Sequence, residues 1–188
     1  MSSVLDNPGV RGSALRLDVD QYHRLCDSGI VPEKTELLSG IVVSKMGKSP
    51  LHTWTVEFLA EWFRVLLLPT QTLRIEQPLT LSDSEPEPDL AIVRGSRDDY
   101  RTYHPTTAEL VIEVAITTEE IDRAKASIYA AAEISQYWLV LPEKMQVIIY
   151  RNPERASARF ADASTVGRDG KVTWLGNELD CADVFPDK

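Results

Sequence analysis

Apolar residues recur along the chain with two different periods, which predict a mixed series of helices and strands. Over residues 51–68 they recur every three or four positions, the spacing of a core helix. A shorter amphipathic helix is predicted to open at Asp18. The segment TELLSGIVVSK then predicts two short strands joined by a tight turn at Ser39 and Gly40, with Glu36 in the first strand.

The second half of the chain has the composition of a β-sheet with one helix inserted. The segments DLAIVRG and ELVIEVA are nearly continuous aliphatic runs, which predicts central strands that are buried on both faces. A strand at LRIEQPLTL precedes them, and QYWLVLPEKMQVIIY follows as a hairpin that turns at Pro142. ARFADAS and KVTWLG have the pattern of weaker strands. We therefore expect an α/β or α+β arrangement, with a central mixed sheet flanked by helices.

The inserted helix carries one apolar stripe with a lysine at its edge. A capping-box pattern from Thr117 to Glu120 predicts this helix over about 119–133. At 100° per residue the stripe consists of Ile121, Ala124, Ile128, Ala131 and Ala132. Lys125 lies at the edge of the stripe. Its ammonium can extend into solvent, or it can point along the sheet toward acidic residues and a phosphate.

Length and composition indicate one globular domain. The chain has 188 residues, of which 43% are hydrophobic and 26% are charged, enough for one buried α/β core and short for two. We expect a single domain over 1–188, with a core at about 18–152 and C-terminal strands and a tail over 153–188. No apolar stretch reaches the roughly 20 residues of a membrane helix, and the N terminus lacks the layout of a secretory signal. We therefore expect a cytoplasmic protein with no membrane partner.

The formal net charge is −9. This charge argues against a protein that simply coats nucleic acid, because non-specific affinity for DNA comes from Lys and Arg. A total says nothing about how charge is distributed, however, and carboxylates that hold a divalent cation contribute to an acidic total. An enzyme that acts on DNA through a bound metal remains compatible with it.

Two acidic residues stand at strands that are predicted to be buried. Asp89 opens a strand directly after the stiff EPEP segment, and Glu113 lies within LVIEVA. Buried carboxylates are costly unless they are paired, protonated or bound to metal. If the two strands are adjacent, both carboxylates converge on one hard cation such as Mg²⁺, whose sites are typically completed by a phosphate. The alternatives are that Asp89 caps a turn and that Glu113 faces solvent.

Five segments of the chain occur in the order seen in a known family. They are TELLSGIVV, EPEPDLAIV, ELVIEVA, DRAKASIYA and QYWLV. On these segments the chain resembles the Uma-type restriction-endonuclease family, a branch of the PD-(D/E)XK nuclease superfamily, over roughly Tyr22 to Tyr150. The resemblance implies a restriction-endonuclease-like fold, hydrolysis of phosphodiester bonds in DNA with Mg²⁺ or Mn²⁺, and a homodimer, since duplex cleavage needs two sites.

The resemblance also implies roles for individual residues. Asp89 corresponds to the metal-binding aspartate and Glu113 to the acidic residue of the second motif, with the Val114 carbonyl as a further ligand. The lysine of the superfamily usually stands two residues after that acid, where this chain has Ala115. In this branch the lysine is similar in position to Lys125, on the following helix, which would orient the attacking water.

Three further positions resemble functional positions of the family. Glu36 matches an additional upstream acid, which would hold a water or a second cation. The turn after it is Ser39-Gly40-Ile41 instead of the commoner Asp-Gly-Glu, which removes two acidic side chains and weakens the case for a second metal. His52 and Gln77 fall at positions where relatives often carry similar polar residues, so either could contact phosphate, and a structural role is the alternative for both.

Two competing functions stay open at this point. One is a catalytically inactive binding module with the same fold, and the other is a metal-dependent hydrolase of a small phosphorylated substrate. The small-substrate enzyme requires a closed pocket, whereas a nuclease requires an open groove with a basic rim. The candidates for that rim are Lys45, Lys48, Arg94, Arg97 and Arg101.

Overall fold

The computed structural model describes residues 7–32 and 34–185. The helices of this part are α1 (Pro8–Ser13), α2 (Val19–Asp27), α3 (Pro50–Arg64), α4 (Glu119–Ala131) and α5 (Cys181–Val184). The strands are β1 (Thr35–Leu38), β2 (Ile41–Ser44), β3 (Gln71–Ile75), β4 (Leu90–Arg94), β5 (Leu110–Val114), β6 (Gln136–Leu141), β7 (Gln146–Glu154), β8 (Arg159–Gly167), β9 (Lys171–Trp174) and β10 (Asn177–Asp180).

A six-stranded mixed sheet forms the centre of the fold. Its strand order is β3-β4-β5-β6-β7-β8. Strands β5 and β6 are parallel, and every other neighbouring pair in this sheet is antiparallel. The parallel pair requires a crossover connection, which α4 provides. The predicted mixed sheet with flanking helices is confirmed. Two separate hairpins, β1–β2 and β9–β10, complete the described strands.

The two faces of the central sheet bury separate hydrophobic clusters, because successive side chains of a strand point to opposite faces. We call one the α3 face. Its buried residues include Leu59 and Phe63 of α3, Leu90, Ile112 and Trp138 of the sheet, and Trp174, Val184 and Phe185 of the C-terminal segment. We call the other the α4 face. Its buried residues include Ala91, Val111, Tyr137 and Leu139 of the sheet and Tyr129 of α4.

Two predicted elements are longer than those observed. Helix α3 ends at Arg64 and not at Leu68, and in the residues after it Val65 is 80% exposed and Leu68 is 49% exposed. Strand β3 ends at Ile75, since Glu76 adopts a left-handed backbone with φ of 52° and Pro78 has no N–H to donate to a ladder. Sequence periodicity therefore extended both elements past their regular backbone, because apolar residues that follow them, Leu67, Leu79 and Leu81, still pack against the core.

Helix α4 differs from its prediction in its cap and in its buried side. The N-cap is Thr118, whose side chain makes no capping hydrogen bond, so the predicted Thr117 capping box is wrong. Only part of the predicted apolar stripe packs against the core: Ile128 and Ala132 do so, whereas Ile121 is 38% exposed. The residues that α4 buries are Asp122, Lys125, Tyr129 and Ala130. The helix thus turns two charged residues toward the sheet.

The N-terminal helix α1, the strand β10 and the helix α5 were not expected from the sequence pattern. None of the helices in the described part of the chain is long and apolar enough to cross a membrane.

Candidate active site

Asp89 and Glu113 meet at one end of the central sheet. In the antiparallel pair β4–β5, Leu90 lies opposite Ile112, so the next step of this register brings Asp89 opposite Glu113. Side chains at opposite positions of neighbouring strands share one face of the sheet. The Asp89 N–H donates to Glu113 Oε2 at 3.4 Å, and the Val114 N–H donates to Asp89 Oδ2 at 2.8 Å. The alternative that Glu113 faces solvent is excluded, since this residue is 4% exposed.

The ammonium of Lys125 lies among three carboxylates. Its Nζ is 2.9 Å from Glu113 Oε1, 3.0 Å from Glu36 Oε2 and 3.3 Å from Asp122 Oδ1. Lys125 is only 4% exposed. Of its two possible orientations, the side chain therefore takes the one along the sheet and does not extend into solvent.

Glu36 reaches the site from the β1–β2 hairpin. Its Oε1 accepts a hydrogen bond from the Glu87 N–H at 2.7 Å, and the Glu85 N–H donates to the Leu37 carbonyl at 2.7 Å. These two hydrogen bonds hold β1 beside residues 85–87, the segment that leads into β4. The turn of this hairpin requires glycine, because Gly40 has φ of +75° and a Cβ there would lie 2.5 Å from Arg16 Cβ.

Two tyrosines hold α4 and Glu113 in register. The Tyr129 hydroxyl donates to Glu113 Oε1 at 2.7 Å, and the Tyr137 hydroxyl donates to the main-chain carbonyl of Asp122 at 2.8 Å. The two rings pack against each other with centroids 4.9 Å apart. Both tyrosines are fully buried, so they form a rigid support behind the carboxylates.

His52 is a partner of Asp89. It lies in the first turn of α3, where the His52 N–H donates to Ser49 Oγ at 3.2 Å. Its Nε2 is 3.1 Å from Asp89 Oδ1, while its buried Nδ1 has no hydrogen-bond partner within residues 7–32 and 34–185. The structure therefore places His52 at the site. Gln77 is exposed, and the residue beside it, Glu76, is the one that lines the cavity described next.

A cavity of about 560 Å³ contains these groups. Asp89, Glu113, Val114, Lys125, Glu36 and His52 all line it. Its basic residues besides Lys125 are Lys34, Lys45 and Lys48, on either side of the β1–β2 hairpin. Lys45 forms an ion pair with Glu87, and Lys48 forms one with Glu76. The Lys48 Nζ also lies 3.8 Å from Asp89 Oδ1.

The five basic residues expected at the rim do not converge. Lys45 and Lys48 line the cavity, but Arg94, Arg97 and Arg101 are not part of its lining within the described chain. These arginines lie at or beyond the end of β4, whereas Asp89 precedes its first residue. At the usual rise of a strand, β4 separates the two groups by on the order of 16 Å. The expectation of one joint rim is therefore wrong for the arginines.

The site holds more negative charge than its lysine neutralises. Burial raises the pKa of Glu113 well above its ordinary value, against the opposing effect of Lys125. Burial also raises the pKa of Asp122. Burial alone lowers the pKa of Lys125, but Glu113 and Glu36 outweigh this effect and raise that pKa above its ordinary range. A local excess of carboxylates is the environment that a divalent cation relieves.

The oxygen donors of the site fit Mg²⁺ or Mn²⁺, because Mg²⁺ commonly takes only a few ligands from the protein. Within the described residues, no group of three or more His, Cys, Asp and Glu side chains is arranged to hold a metal. Mg²⁺, however, is commonly bound by one or two carboxylates together with water and substrate phosphate. Asp89 and Glu113 supply two such carboxylates within one cavity, and Val114, whose carbonyl is the expected further ligand, lines the same cavity.

Asp122 and Tyr129 are the site residues that the sequence analysis missed. Their signal was present, because Asp122, Lys125 and Tyr129 are spaced three and four residues apart and therefore lie on one side of a helix. The apolar stripe on the neighbouring side concealed it. Apolar periodicity does not detect a buried helix face that carries charged residues. Such a face is found in the sequence by looking for acidic and basic residues that are spaced three or four positions apart and can neutralise each other.

The chain is similar to a known family in its sequence and to a solved structure in its fold. A family model described as "Uma2: Putative restriction endonuclease" matches residues 19–169. A similar solved structure is that of a "putative nuclease belonging to DUF820" from Anabaena variabilis, with a TM-score of 0.73 and 15% identity over 90% of this chain and 97% of that chain. This likeness shows the fold. No curated protein matches. Since the family model covers most of the sequence, the chain belongs to the Uma2 family of restriction-endonuclease-like proteins.

Proposed function

We propose that this protein is a divalent-metal-dependent endonuclease that hydrolyses phosphodiester bonds in DNA. The observation that carries the proposal is the convergence of Asp89, Glu113 and Lys125 in one cavity, with Lys125 Nζ 2.9 Å from Glu113 Oε1. Membership of a family described as restriction endonucleases supports it.

Asp89 and Glu113 would hold one Mg²⁺ or Mn²⁺ ion, with the Val114 carbonyl as a further ligand. When bound, the cation supplies Lewis acidity toward a phosphate oxygen and a water. Lys125 orients the attacking water and offsets the negative charge that develops on the phosphate. Glu36 keeps the ammonium in place from the opposite side, at 3.0 Å. His52 fixes the rotamer of Asp89 through its Nε2 contact and, as a lining residue, can contact the phosphate.

The lysines beside the β1–β2 hairpin provide the contact with the DNA backbone. Lys45 and Lys48 are now paired with Glu87 and Glu76. A phosphate group that enters the cavity would replace the carboxylate as the partner of each ammonium. The DNA backbone would thereby come close to Asp89, since Lys48 Nζ lies 3.8 Å from Asp89 Oδ1. Because few basic residues take part and the net charge is −9, we expect weak DNA affinity, and since few phosphates are neutralised, this affinity should fall only gradually as salt is added.

A small phosphorylated substrate is the second candidate. The cavity volume of about 560 Å³ lies within the range of small-molecule sites, which favours it. The acidic lining, with Glu76 and Glu87 at the lysines, favours instead a substrate whose phosphates are presented in a row and can displace several ion pairs. Comparing cleavage of plasmid DNA with hydrolysis of bis(p-nitrophenyl) phosphate and of nucleoside monophosphates separates the two.

The decisive experiment is metal-dependent cleavage of plasmid, single-stranded and branched DNA. The wild type should cut at least one of them with Mg²⁺ or Mn²⁺ and none with EDTA, and Asp89→Ala should abolish the reaction. Asp98→Asn, which neutralises an exposed acid at the far end of β4, should leave it unchanged. If the wild type neither binds a divalent metal nor cuts any of these substrates, the inactive binding module replaces the nuclease.

We retain three further predictions from the sequence. They are a single domain over 1–188, a homodimer and a location in the cytoplasm. The contribution of Trp174 and Phe185 to the α3 face supports the single domain, because residues of the C-terminal segment then share a core with α3.

A further inference from the structure

Asp122 is a buried acid that the proposed chemistry does not use. It is 5% exposed, and its Oδ1 lies 3.3 Å from Lys125 Nζ. We infer that Asp122 is a positioning residue, which holds the Lys125 ammonium against Glu113 and Glu36 at the distance needed to reach a phosphate. The effect of Asp122 on catalysis rests on the proposed nuclease function, whereas its effect on the position of the Lys125 ammonium does not.

The number of carboxylates around Lys125 is the first argument. An ammonium has three N–H donors and no acceptor. Glu113, Glu36 and Asp122 surround Nζ at 2.9, 3.0 and 3.3 Å. They come from β5, β1 and α4 respectively, so no single element determines where the ammonium lies. Without Asp122 the ammonium loses one of its three ion-pair partners, and the flexible four-carbon stem regains freedom to rotate away from the other carboxylates.

The way in which Asp122 is itself held is the second argument. The Thr118 hydroxyl donates to Asp122 Oδ2 at 2.5 Å, which leaves Oδ1 directed at Lys125. The Tyr137 hydroxyl binds the main-chain carbonyl of the same residue at 2.8 Å. Thr118 therefore holds Oδ2 of the carboxylate, and Tyr137, a residue of the central sheet, holds the main chain of Asp122. A side chain that only filled space would need neither contact.

The cost of Asp122 is the third argument. Burial raises its pKa, which means that the surroundings disfavour its charged form. Replacing a buried ionic group by an apolar one is often neutral or stabilising. A buried acid whose charge carries such a cost is more consistent with a function for that charge than with packing.

Asp122→Asn is the variant that isolates the charge. It keeps the volume and an oxygen that can accept from Thr118. Glu120→Gln is the matched control, because it neutralises an exposed acid in the same first turn of α4. Thermal unfolding of both variants shows whether the fold persists. If Asp122→Asn does not fold, Thr118→Val takes its place, since it frees the carboxylate to rotate without removing its charge.

The first measurement is made on the metal-free protein and does not involve activity. A buried ammonium held by carboxylates exchanges its protons slowly, so the ¹H–¹⁵N signal of the Lys125 side chain should be visible in the wild type and in Glu120→Gln. In Asp122→Asn the exchange should accelerate about tenfold or more, and the signal should broaden or vanish. An unchanged signal in a folded Asp122→Asn protein overturns the inference, whether or not the protein is a nuclease.

The second measurement is a double-mutant cycle on DNA cleavage. Asp122→Asn should lower kcat about tenfold, the usual order for loss of a residue that orients a group of the site, with little change in KM or in affinity for Mn²⁺. In the Lys125→Gln background the same substitution should have no further effect. Equal losses in both backgrounds mean that Asp122 does not act through Lys125 and contradict the inference. Absence of cleavage by the wild type contradicts the proposed function, and the exchange measurement then decides the inference alone.

Discussion

The two faces of the central sheet are built from the same strands but are used in opposite ways. On the α3 face, the side chains of Phe63, Trp138 and Trp174 pack in an apolar cluster. On the α4 face, the apolar cluster gives way at one end to Glu113 and Lys125, both nearly inaccessible to solvent. Adjacent residues of β5 therefore place an apolar side chain on one side of the sheet and a buried carboxylate on the other.

This difference shows where the stability of the fold originates. Burial of aromatic and aliphatic side chains is the main favourable contribution to folding. Desolvation of the buried charges of Glu113, Asp122 and Lys125 works against it, and their mutual attraction offsets this only in part. We infer that the α3 face stabilises an arrangement on the α4 face that would be costly by itself.

The largest expected effect is that of removing the ammonium from the α4 face. Lys125→Gln should lower the rate of DNA cleavage by about 10²–10³-fold, the order found when one electrostatic stabiliser is lost. Affinity for Mn²⁺ should not fall, because a positive charge close to the carboxylates has been removed. The measurements are single-turnover cleavage and titration with Mn²⁺. Lys171→Gln, at an exposed lysine of the β9–β10 hairpin, is the control, and equal losses in both variants would argue against any special role of Lys125.

A comparable change on the α3 face should affect stability and not chemistry. Phe63 is fully buried between Trp138 and Trp174, so Phe63→Ala should lower the free energy of unfolding by about 3–5 kcal/mol. Urea unfolding measures this loss. The cleavage rate per folded molecule should remain close to that of the wild type at low temperature. A small stability loss, under about 1 kcal/mol, would mean that this face is not the source of stability.

The α4 face should also make stability depend on pH. Since the pKa of Asp122 is raised on folding by burial, its contribution to stability is fully present below the ordinary aspartate pKa and is lost as pH rises through the folded value. In EDTA, Asp122→Asn should therefore weaken the fall in unfolding free energy above about pH 4. Phe63→Leu should shift the whole profile without changing its shape. A profile of Asp122→Asn that is parallel to that of the wild type would contradict this assignment.

The smallest expected effect concerns the two polar residues first paired as phosphate contacts. Gln77 is exposed and His52 is 9% exposed in contact with Asp89. Gln77→Ala should change the cleavage rate by less than about twofold, as is usual for a surface substitution outside a site, whereas His52→Ala should lower it clearly. A loss in Gln77→Ala as large as in His52→Ala would restore the role first expected for Gln77.

The sequence predicted the α3 face better than the α4 face. The core helix, the two central strands and the hairpin at Pro142 all follow from apolar periodicity, although the apolar residues Leu51 and Trp54 of α3 are 42% and 41% exposed. The α4 face does not follow from it. Periodicity assigned Ile121 to the buried side of the helix, whereas Asp122 occupies it, because apolar periodicity takes no account of a carboxylate that a lysine of the same helix can neutralise.

The sequence predicted most of the residues that belong to the candidate site, but it did not predict how they are arranged in space. Buried strands made the acids at Asp89 and Glu113 conspicuous, and the family resemblance pointed to Lys125. The contact of His52 with Asp89 and the position of the arginines beyond β4 depend on strand register and loop paths. These are long-range properties, which local patterns do not encode.

The most direct test of the central claim is titration of the protein with Mn²⁺ by calorimetry, with proton release measured in parallel. We expect the wild type and Asp98→Asn to bind the ion equally, and Asp89→Asn and Glu113→Gln to lose at least about tenfold in affinity, as is usual when a ligand of a site with few oxygen ligands is neutralised. Equal binding by the wild type and Asp89→Asn, or no binding by the wild type, would contradict the claim.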